Sequence, residues 1–176
     1  MKILLHTCCS NCTIYPFKKL SREGHNITGL WFNPNIHPYT EYKARKESME
    51  RLSEEWNIDM VYIDEYGLVD FLRMVVGREK ERCLHCYRMR LKRTAQEAKT
   101  SDFDAFSTTL TISPYQNIEL IRSIGEEIAE EYGIDFYYED FRRGFREAMT
   151  ISKELGLYRQ KYCGCIYSEM ERYKKG

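Results

Sequence analysis

Residues 2–13 read KILLHTCCSNCT, and this stretch decides the fold that the sequence predicts. Its short apolar run predicts a buried strand. Three cysteines, Cys8, Cys9 and Cys12, follow that run almost directly. Parallel α/β sheets bind their ligands outside the carboxyl ends of the strands, where a glycine-rich phosphate loop is common. The glycines are missing here, so we expect thiols to take the place of a phosphate-binding loop.

Strand-like runs and helical patterns alternate along the rest of the chain. The patterns predict strands at 2–7, 26–32, 59–64, 104–110 and 134–140, and helices at 15–24, 40–57, 69–77, 79–99 and 113–133. The last of these helices has Pro114 near its start and a predicted inner stripe of Ile118, Ile121, Ile124 and Ile128. This order predicts an α/β fold with a mainly parallel five-stranded sheet flanked by helices and a helical C-terminal part. Because no linker or repeat interrupts the 176 residues, we expect one domain, 1–176.

Composition limits the classes of partner. The 27 Lys and Arg residues balance the 27 Asp and Glu residues, so net charge gives no argument for nucleic acid. Basic residues nevertheless concentrate in 73–93 and 141–176, which also carry cysteines, and this favours a polyanionic partner near the thiols. Solvated helix faces are the simpler alternative. No apolar run approaches the roughly 20 residues of a membrane span, and no signal peptide is apparent, so we expect a cytoplasmic protein without a membrane partner.

Seven cysteines are many for a cytosolic chain of this length, and in that compartment clustered thiols mostly bind metal or carry out redox chemistry. The pairs Cys9/Cys12 and Cys83/Cys86 share a Cys-x-x-Cys spacing, which suits one metal centre. The spacing alone fits a structural four-cysteine zinc site. The remaining cysteines, and the adjacency of Cys8 and Cys9, favour a larger iron–sulfur cluster.

A third cluster, Cys163-Gly-Cys165, has a different spacing. Two cysteines one residue apart can form only a strained ring, and strained disulfides are the labile, redox-active kind. Gly164 supplies the necessary backbone freedom. A dithiol stores two electrons whereas a cluster passes them singly, so the combination predicts a two-electron reductase. The alternative is that Cys163 and Cys165 are buried free thiols or further metal ligands.

Four separated motifs together resemble the QueH family of tRNA epoxyqueuosine reductases. They are LLHTCCSNC (4–12), RCLHCYRMRL (82–91), FSTTLTISPYQN (106–117) and LYRQKYCGCIYSE (157–169), so the resemblance covers almost the whole chain. The first motif has Ser10-Asn11 where the commonest family form has Ala-Pro. Both changes lie between cysteines and concern the shape of the loop rather than its ligands.

The resemblance implies a cobalamin-independent, iron–sulfur oxidoreductase that completes queuosine biosynthesis. Such an enzyme removes the epoxide oxygen from epoxyqueuosine in the anticodon stem–loop of tRNA, with electrons from a donor that the sequence does not identify. The family fold is Rossmann-like and related to the nucleotide α-hydrolases. The implied site comprises a [4Fe–4S] cluster on Cys8, Cys9, Cys83 and Cys86, a redox-active pair Cys163 and Cys165, and an additional mononuclear iron with Cys12 as the nearest unused thiol.

Three arginines, Arg88, Arg90 and Arg159, are candidate RNA contacts. Tyr158, Tyr162 and Tyr167 are candidates either for stacking on a base or for plain packing. Two other functions remain open. A tRNA sulfur-inserting enzyme would need a glycine-rich ATP loop after the first strand, where this chain has cysteines. A zinc-stabilised RNA-binding module would leave Cys163 and Cys165 dispensable.

Overall fold

Five parallel strands form the centre of the molecule in a computed structural model that describes residues 1–174. The strands are β1 (Lys2–His6), β2 (Asn26–Trp31), β3 (Asp59–Tyr62), β4 (Ala105–Thr108) and β5 (Asp135–Phe136), in the order β3-β2-β1-β4-β5. Every neighbouring pair is parallel. The predicted α/β, Rossmann-like sheet with a helical C-terminal part is confirmed, although all five strands are shorter than predicted.

Seven α-helices surround this sheet within the described residues. They are α1 (Ser10–Arg22), α2 (Tyr39–Trp56), α3 (Leu68–Val75), α4 (Arg82–Thr100), α5 (Ile118–Tyr132), α6 (Phe145–Glu154) and α7 (Ile166–Tyr173). Short 3₁₀ turns cover 79–81, 109–112 and 141–144. None of the helices in residues 1–174 has the length and apolar character that crossing a membrane requires.

Helix α1 begins five residues earlier than predicted. Cys9 is its N-cap: the residue is extended, and its Sγ accepts a hydrogen bond from the backbone N–H of Cys12 at 3.4 Å. A side-chain acceptor at this position satisfies one of the free N–H groups of the first turn. Cys12 therefore lies inside the helix rather than in a loop.

Two apolar layers cover the two faces of the sheet. Helices α1, α2 and α6 pack on one face, and α4 and α5 pack on the other. The predicted inner stripe of α5 is confirmed, since Ile118, Ile121, Ile124 and Ile128 are all buried. Strand β1 lies between β2 and β4, so the chain reverses its direction of winding there. The carboxyl end of β1 is consequently the place where such a sheet opens a crevice for ligands.

Candidate functional site: a cysteine-lined cavity

Three thiols meet at the carboxyl end of β1. The sulfurs of Cys8, Cys9 and Cys12 lie within 4.8 Å of one another, and among the described residues this is the one group of His, Cys, Asp and Glu side chains close enough to share a metal ion. The connection from β1 to α1 is only Thr7, Cys8 and Cys9, and it contains no glycine. Cys9 and Cys12 are buried, whereas Cys8 is partly exposed. The thiols therefore occupy the position of a phosphate loop, as the sequence predicts.

The three thiols differ in their readiness to ionise. A hydrogen bond with Cys12 lowers the pKa of Cys8, but its contact with Cys9 and burial outweigh this and raise the pKa to about 11. Burial also raises the pKa of Cys9, yet hydrogen bonds with Cys12 and Cys8 and the charge of Arg45 hold it well below its usual value. Cys9 is thus the preferred thiolate of the group.

Hydrogen-bond donors surround these sulfurs. The Gln160 side-chain amide donates to Cys9 Sγ at 2.9 Å, and the Thr109 hydroxyl donates to Cys8 Sγ at 3.3 Å. Gln160 is itself oriented by Asn11, whose amide donates to Gln160 Oε1 at 2.7 Å. Ser152 in turn donates to Asn11. Donors aimed at sulfur favour thiolate, which is the form that binds metal.

Arg45 holds the third cysteine cluster. Its Nη1 donates to the carbonyl oxygen of Cys163 at 2.7 Å, and its Nη2 donates to that of Tyr162 at 2.9 Å. Glu41 completes a buried ion pair with Arg45 at 2.7 Å. Between the two thiols, Gly164 has φ +155°, and a Cβ there would lie 3.3 Å from Arg45 Nη1. The positive φ angle therefore requires glycine at this position, and the limited space beside Arg45 also favours it.

A cavity of about 540 Å³ joins the first and third cysteine clusters. Cys8 and Cys12 line one part of it, and Cys163 lines another. The Gln116 amide donates to Cys163 Sγ at 3.0 Å. Cationic side chains outnumber carboxylates in its wall, which includes Arg45, Arg90, Arg159, Lys161 and Arg172 but only Glu171. The cavity accordingly suits an anionic or electron-rich ligand beside reactive sulfur.

The second cluster lies at the start of α4. Cys83 is exposed, while Cys86 is partly buried and packs against the same apolar layer as Cys8. Burial raises the pKa of Cys86 to about 11. Neither thiol belongs to the close group formed by the first three cysteines. The structure thus places Cys86 near the candidate site. The thiol that it brings together with Cys8 and Cys9, however, is that of Cys12.

The candidate RNA contacts differ in their environments. Arg88 is partly exposed and makes two hydrogen bonds of 2.7 Å to Glu127. Arg90 is 3% exposed and donates to Asn35, yet it lines the cavity, so its role as an RNA contact stays a prediction. Arg159 lines the same cavity. Arg88 and Arg90 differ in exposure because Arg90 lies on the face of the amphipathic α4 that is turned toward the sheet.

The three candidate stacking tyrosines all have partners within the protein. Tyr158 donates to Glu41, the Tyr162 ring lies beneath Arg45, and the Tyr167 ring lies beneath Arg82. Packing is therefore the role that these contacts support. Tyr115, which the sequence did not single out, is 88% exposed and lines the cavity.

Two buried histidines near the site are kept neutral. Burial, with the charge of Arg90, lowers the pKa of both His6 and His37 to about 4. His6 bonds to Thr108 and Asn33. The Nδ1 atom of His37 accepts a hydrogen bond from the backbone N–H of Ile166 at 3.1 Å. His37 therefore fixes the segment that follows the third cysteine cluster.

Sequence reasoning missed Gln160, Gln116, Thr109 and Arg45. Each of these side chains contacts a cysteine that is distant in the chain. The separation is 151 positions for Gln160, 47 for Gln116, 101 for Thr109 and 118 for Arg45. No local period encodes such contacts. The available signal was that the first three occur within the motifs at 106–117 and 157–169.

Comparisons with known proteins agree with one another. The model of the family described as epoxyqueuosine reductase QueH matches residues 3–171. The epoxyqueuosine reductase QueH of Dehalococcoides mccartyi is 40% identical over 174 residues, which cover 99% of this chain and 96% of that protein.

Two solved structures share the fold. A predicted subunit of tRNA methyltransferase from Methanocaldococcus jannaschii has a TM-score of 0.56 at 13% identity, covering 92% of this chain and 93% of that chain. The U34-tRNA thiolase NcsA from Methanococcus maripaludis, solved with its [4Fe-4S] cluster, has a TM-score of 0.53 at 14% identity, covering 96% of this chain and 61% of that chain. These likenesses agree with the expected Rossmann-like α/β fold.

Proposed function

The chain belongs to the QueH family of epoxyqueuosine reductases, and on that premise we propose that it converts epoxyqueuosine to queuosine in the anticodon loop of tRNA. The reaction removes one oxygen atom from the epoxide and leaves an alkene. Two electrons and two protons are consumed, and the oxygen leaves as water. The chain must therefore bind RNA, expose the modified base and deliver electrons to it.

The observation that carries this proposal is the shared cavity. Cys8 and Cys12 line the cavity that Cys163 also lines, so thiols of two distant segments face one ligand space. A purely structural metal site is closed by its ligands. Here the cysteine group opens into a cavity of about 540 Å³, and this favours a catalytic site over a structural metal site.

The donor set fits an iron–sulfur centre. Thiolates are the ligands that such clusters use, and N–H donors to sulfur stabilise them and adjust their potential. We assign Cys8, Cys9, Cys83 and Cys86 as ligands of a [4Fe–4S] cluster, and Cys12 to an additional mononuclear iron. The cluster would supply single electrons to the bound substrate. The [4Fe-4S] cluster in the NcsA structure supports the assignment only to the extent that the same fold can hold one.

The cavity wall would bind and orient the substrate. Arg159, Lys161 and Arg172 line this wall, and we propose that they contact phosphates around the target nucleotide. Enzymes that act on a base must unstack it first, and an exposed aromatic side chain can then stack on it or on its neighbour. Tyr115 is the cavity residue suited to this.

We assign the dithiol of Cys163 and Cys165 to the supply of reducing equivalents. Arg45 holds the backbone of Cys163, and Gln116 donates to its sulfur, so the position of this thiol is fixed. Oxidation of the pair to a disulfide would release two electrons and two protons, which is what one turnover requires. A separate reductant would then restore the dithiol.

The test uses anaerobically purified full-length protein and an anticodon stem–loop RNA carrying epoxyqueuosine, without cobalamin. Mass spectrometry of the digested RNA should show the loss of one oxygen atom. Sulfide should be present at about four per chain and iron at about five, with four irons in the cluster and one in the mononuclear site. With a donor that reduces only thiols, Cys163→Ser and Cys165→Ser should each abolish turnover while leaving iron content unchanged. Full activity in both variants would remove the dithiol from the mechanism.

The same measurements decide between the alternatives. One zinc per chain, no sulfide after anaerobic reconstitution and no change in the RNA would indicate a zinc-stabilised RNA-binding module. A gain of sulfur on the RNA that depends on ATP would indicate a sulfur-inserting enzyme. The short β1–α1 connection without glycine disfavours the second outcome.

A further inference from the structure

Arg90 is a buried cation without a carboxylate partner. It is 3% exposed, and it belongs to none of the salt bridges formed by residues 1–174. Its Nε and Nη2 atoms donate to Asn35 Oδ1 at 3.0 and 2.7 Å, and an amide oxygen carries no net charge. A buried charge is costly unless something compensates it. The protein therefore needs an anion near Arg90 that carboxylates do not provide.

Asn35 has an unused donor at the same place. Its Oδ1 accepts both Arg90 hydrogen bonds, while its Nδ2 is buried without a hydrogen-bond partner within the described chain. Burying an amide costs free energy when its oxygen has hydrogen-bond partners but its nitrogen has none. This Nδ2 lies close enough to Cys86 to favour the thiolate of that residue, although burial is the larger effect there.

Arg90 lies beside cysteines of all three clusters. Burial lowers its pKa, but negative charge on the sulfurs of Cys86, Cys163, Cys8 and Cys165 raises it. These four residues come from all three cysteine clusters. Arg90 also forms part of the cavity wall, and its Nη1 donates no hydrogen bond to residues 1–174. One cation thus lies at the point where the three clusters converge.

We propose that Arg90 and Asn35 are cofactor-binding residues, in which the guanidinium is the counter-charge of the anionic iron–sulfur centre and Asn35 Nδ2 donates to its sulfur. The inference rests on the proposed function, because it requires a cluster among these cysteines. A cluster held by four thiolates carries net negative charge, and one-electron reduction adds more. A buried cation stabilises the reduced form more strongly than the oxidised form, so Arg90 raises the reduction potential.

The experiment measures the reduction potential of the reconstituted cluster by anaerobic dye-mediated titration, followed by absorbance and electron paramagnetic resonance. Arg90→Gln removes the charge. Asn35→Asp keeps the oxygen that accepts from Arg90, removes the Nδ2 donor and adds a carboxylate charge that cancels the charge of Arg90. Arg90→Lys keeps a charge without the planar donor geometry. The matched control is Lys92→Gln, which removes a cation from the exposed face of the same helix.

Arg90→Gln and Asn35→Asp should each lower the equilibrium constant for one-electron reduction about tenfold, which corresponds to about 59 mV. Arg90→Lys should stay within about threefold of the unmodified protein, and Lys92→Gln should not differ from it. If Arg90→Gln fails to retain iron while Arg90→Lys retains the normal amount, the requirement for positive charge is also supported.

A purely structural role predicts a different pattern. If Arg90 only joins the 33–37 segment to α4, Asn35→Asp would leave the potential unchanged, and this result would overturn the inference. So would an Arg90→Lys variant with a potential as low as that of Arg90→Gln. A failure of the proposed function can be distinguished from a failure of this inference. It would be seen in the unmodified protein, as absent iron and sulfide or as unaltered RNA.

Discussion

The guanidinium of Arg45 on α2 donates a 2.7 Å hydrogen bond to the backbone carbonyl of Cys163, which lies 118 positions further along the chain. A second bond reaches the Tyr162 carbonyl, and the Tyr162 ring lies 5.4 Å beneath the guanidinium carbon. The dithiol loop is therefore fixed by a buried side chain of α2. Its position relative to the first cysteine cluster depends on that contact.

Arg45→Met should lower both stability and turnover. The substitution leaves Glu41 as an uncompensated buried carboxylate, and breaking such a pair costs about 3–5 kcal/mol. Urea denaturation of the cluster-free protein measures the free energy of unfolding. Turnover with a thiol reductant should fall further than turnover with dithionite, because the dithiol loop loses its support.

Arg51→Met is the matched control for this experiment. Arg51 also lies on α2 and also donates to backbone carbonyls, those of Leu155 and Gly156, but it is exposed. Its loss should lower the free energy of unfolding by no more than about 1 kcal/mol. Turnover with the thiol reductant and turnover with dithionite should change equally. Equal behaviour of the two variants would show that Arg45 has no special role at the loop.

Gln160→Ala should weaken the first cysteine cluster as a metal site. It removes the 2.9 Å donor to Cys9 Sγ and leaves the Asn11 amide without its acceptor. Loss of a residue that orients a metal ligand typically lowers metal affinity or activity about 10–100-fold. Iron retention against a chelator measures the effect directly.

Gln96→Ala serves as the comparison, since Gln96 is an exposed residue of α4 that donates to Tyr132 away from the cavity. It should retain iron as the unmodified protein does. Gln160→Glu sharpens the test, because it replaces a donor to sulfur by a carboxylate of similar shape. That variant should lose iron at least as fast as Gln160→Ala, and normal retention would exclude a role for the amide.

The fold was predictable because its signals are local. Alternating apolar runs identified all five strands, and the spacing of Ile118, Ile121, Ile124 and Ile128 identified the inner face of α5. The start of α1 was not predictable in the same way, because a cysteine caps it and cysteine is not among the usual N-cap residues. Likewise, α5 begins at Ile118 because Asn117 caps it, although Pro114 suggested an earlier start.

The site was predictable only in part. Parallel strands end at one edge of a sheet, so the position of Cys8, Cys9 and Cys12 followed from the strand pattern. The burial of Arg90 and its pairing with Asn35 depend on how α4 docks against the 33–37 segment, and no local pattern reports that docking. Sequence reasoning therefore gave Arg90 only as a candidate RNA contact and did not identify its partner Asn35.

Tyr115→Ala should weaken binding of the anticodon stem–loop. Its ring is 88% exposed at the cavity, and stacking of a base on an aromatic side chain is worth about 1–3 kcal/mol. The dissociation constant should rise about 5- to 150-fold, whereas Tyr115→Phe should bind normally because it keeps the ring. Tyr39→Ala removes another exposed ring, outside the cavity wall, and should leave binding unchanged. Unaltered binding by Tyr115→Ala would exclude stacking.

Acidification should destabilise the protein through His37. Burial and the nearby charge of Arg90 lower its folded-state pKa to about 4, whereas the unfolded value is about 6.5. Between these values the unfolded chain binds more protons, so stability is complete above about pH 6.5 and is lost as the pH falls toward 4. At pH 5 the expected loss from this residue is about 2 kcal/mol relative to pH 7.

Urea titrations of the cluster-free protein at pH 7, 6 and 5 measure this loss. His37→Asn keeps a side-chain acceptor for the Ile166 N–H but cannot titrate, so its stability should fall about 2 kcal/mol less than that of the unmodified protein over this range. His6 is buried with a pKa lowered in the same direction and is present in both proteins, so it cancels in the comparison. Parallel pH profiles for the two proteins would mean that His37 is protonated in the folded state as readily as in the unfolded chain.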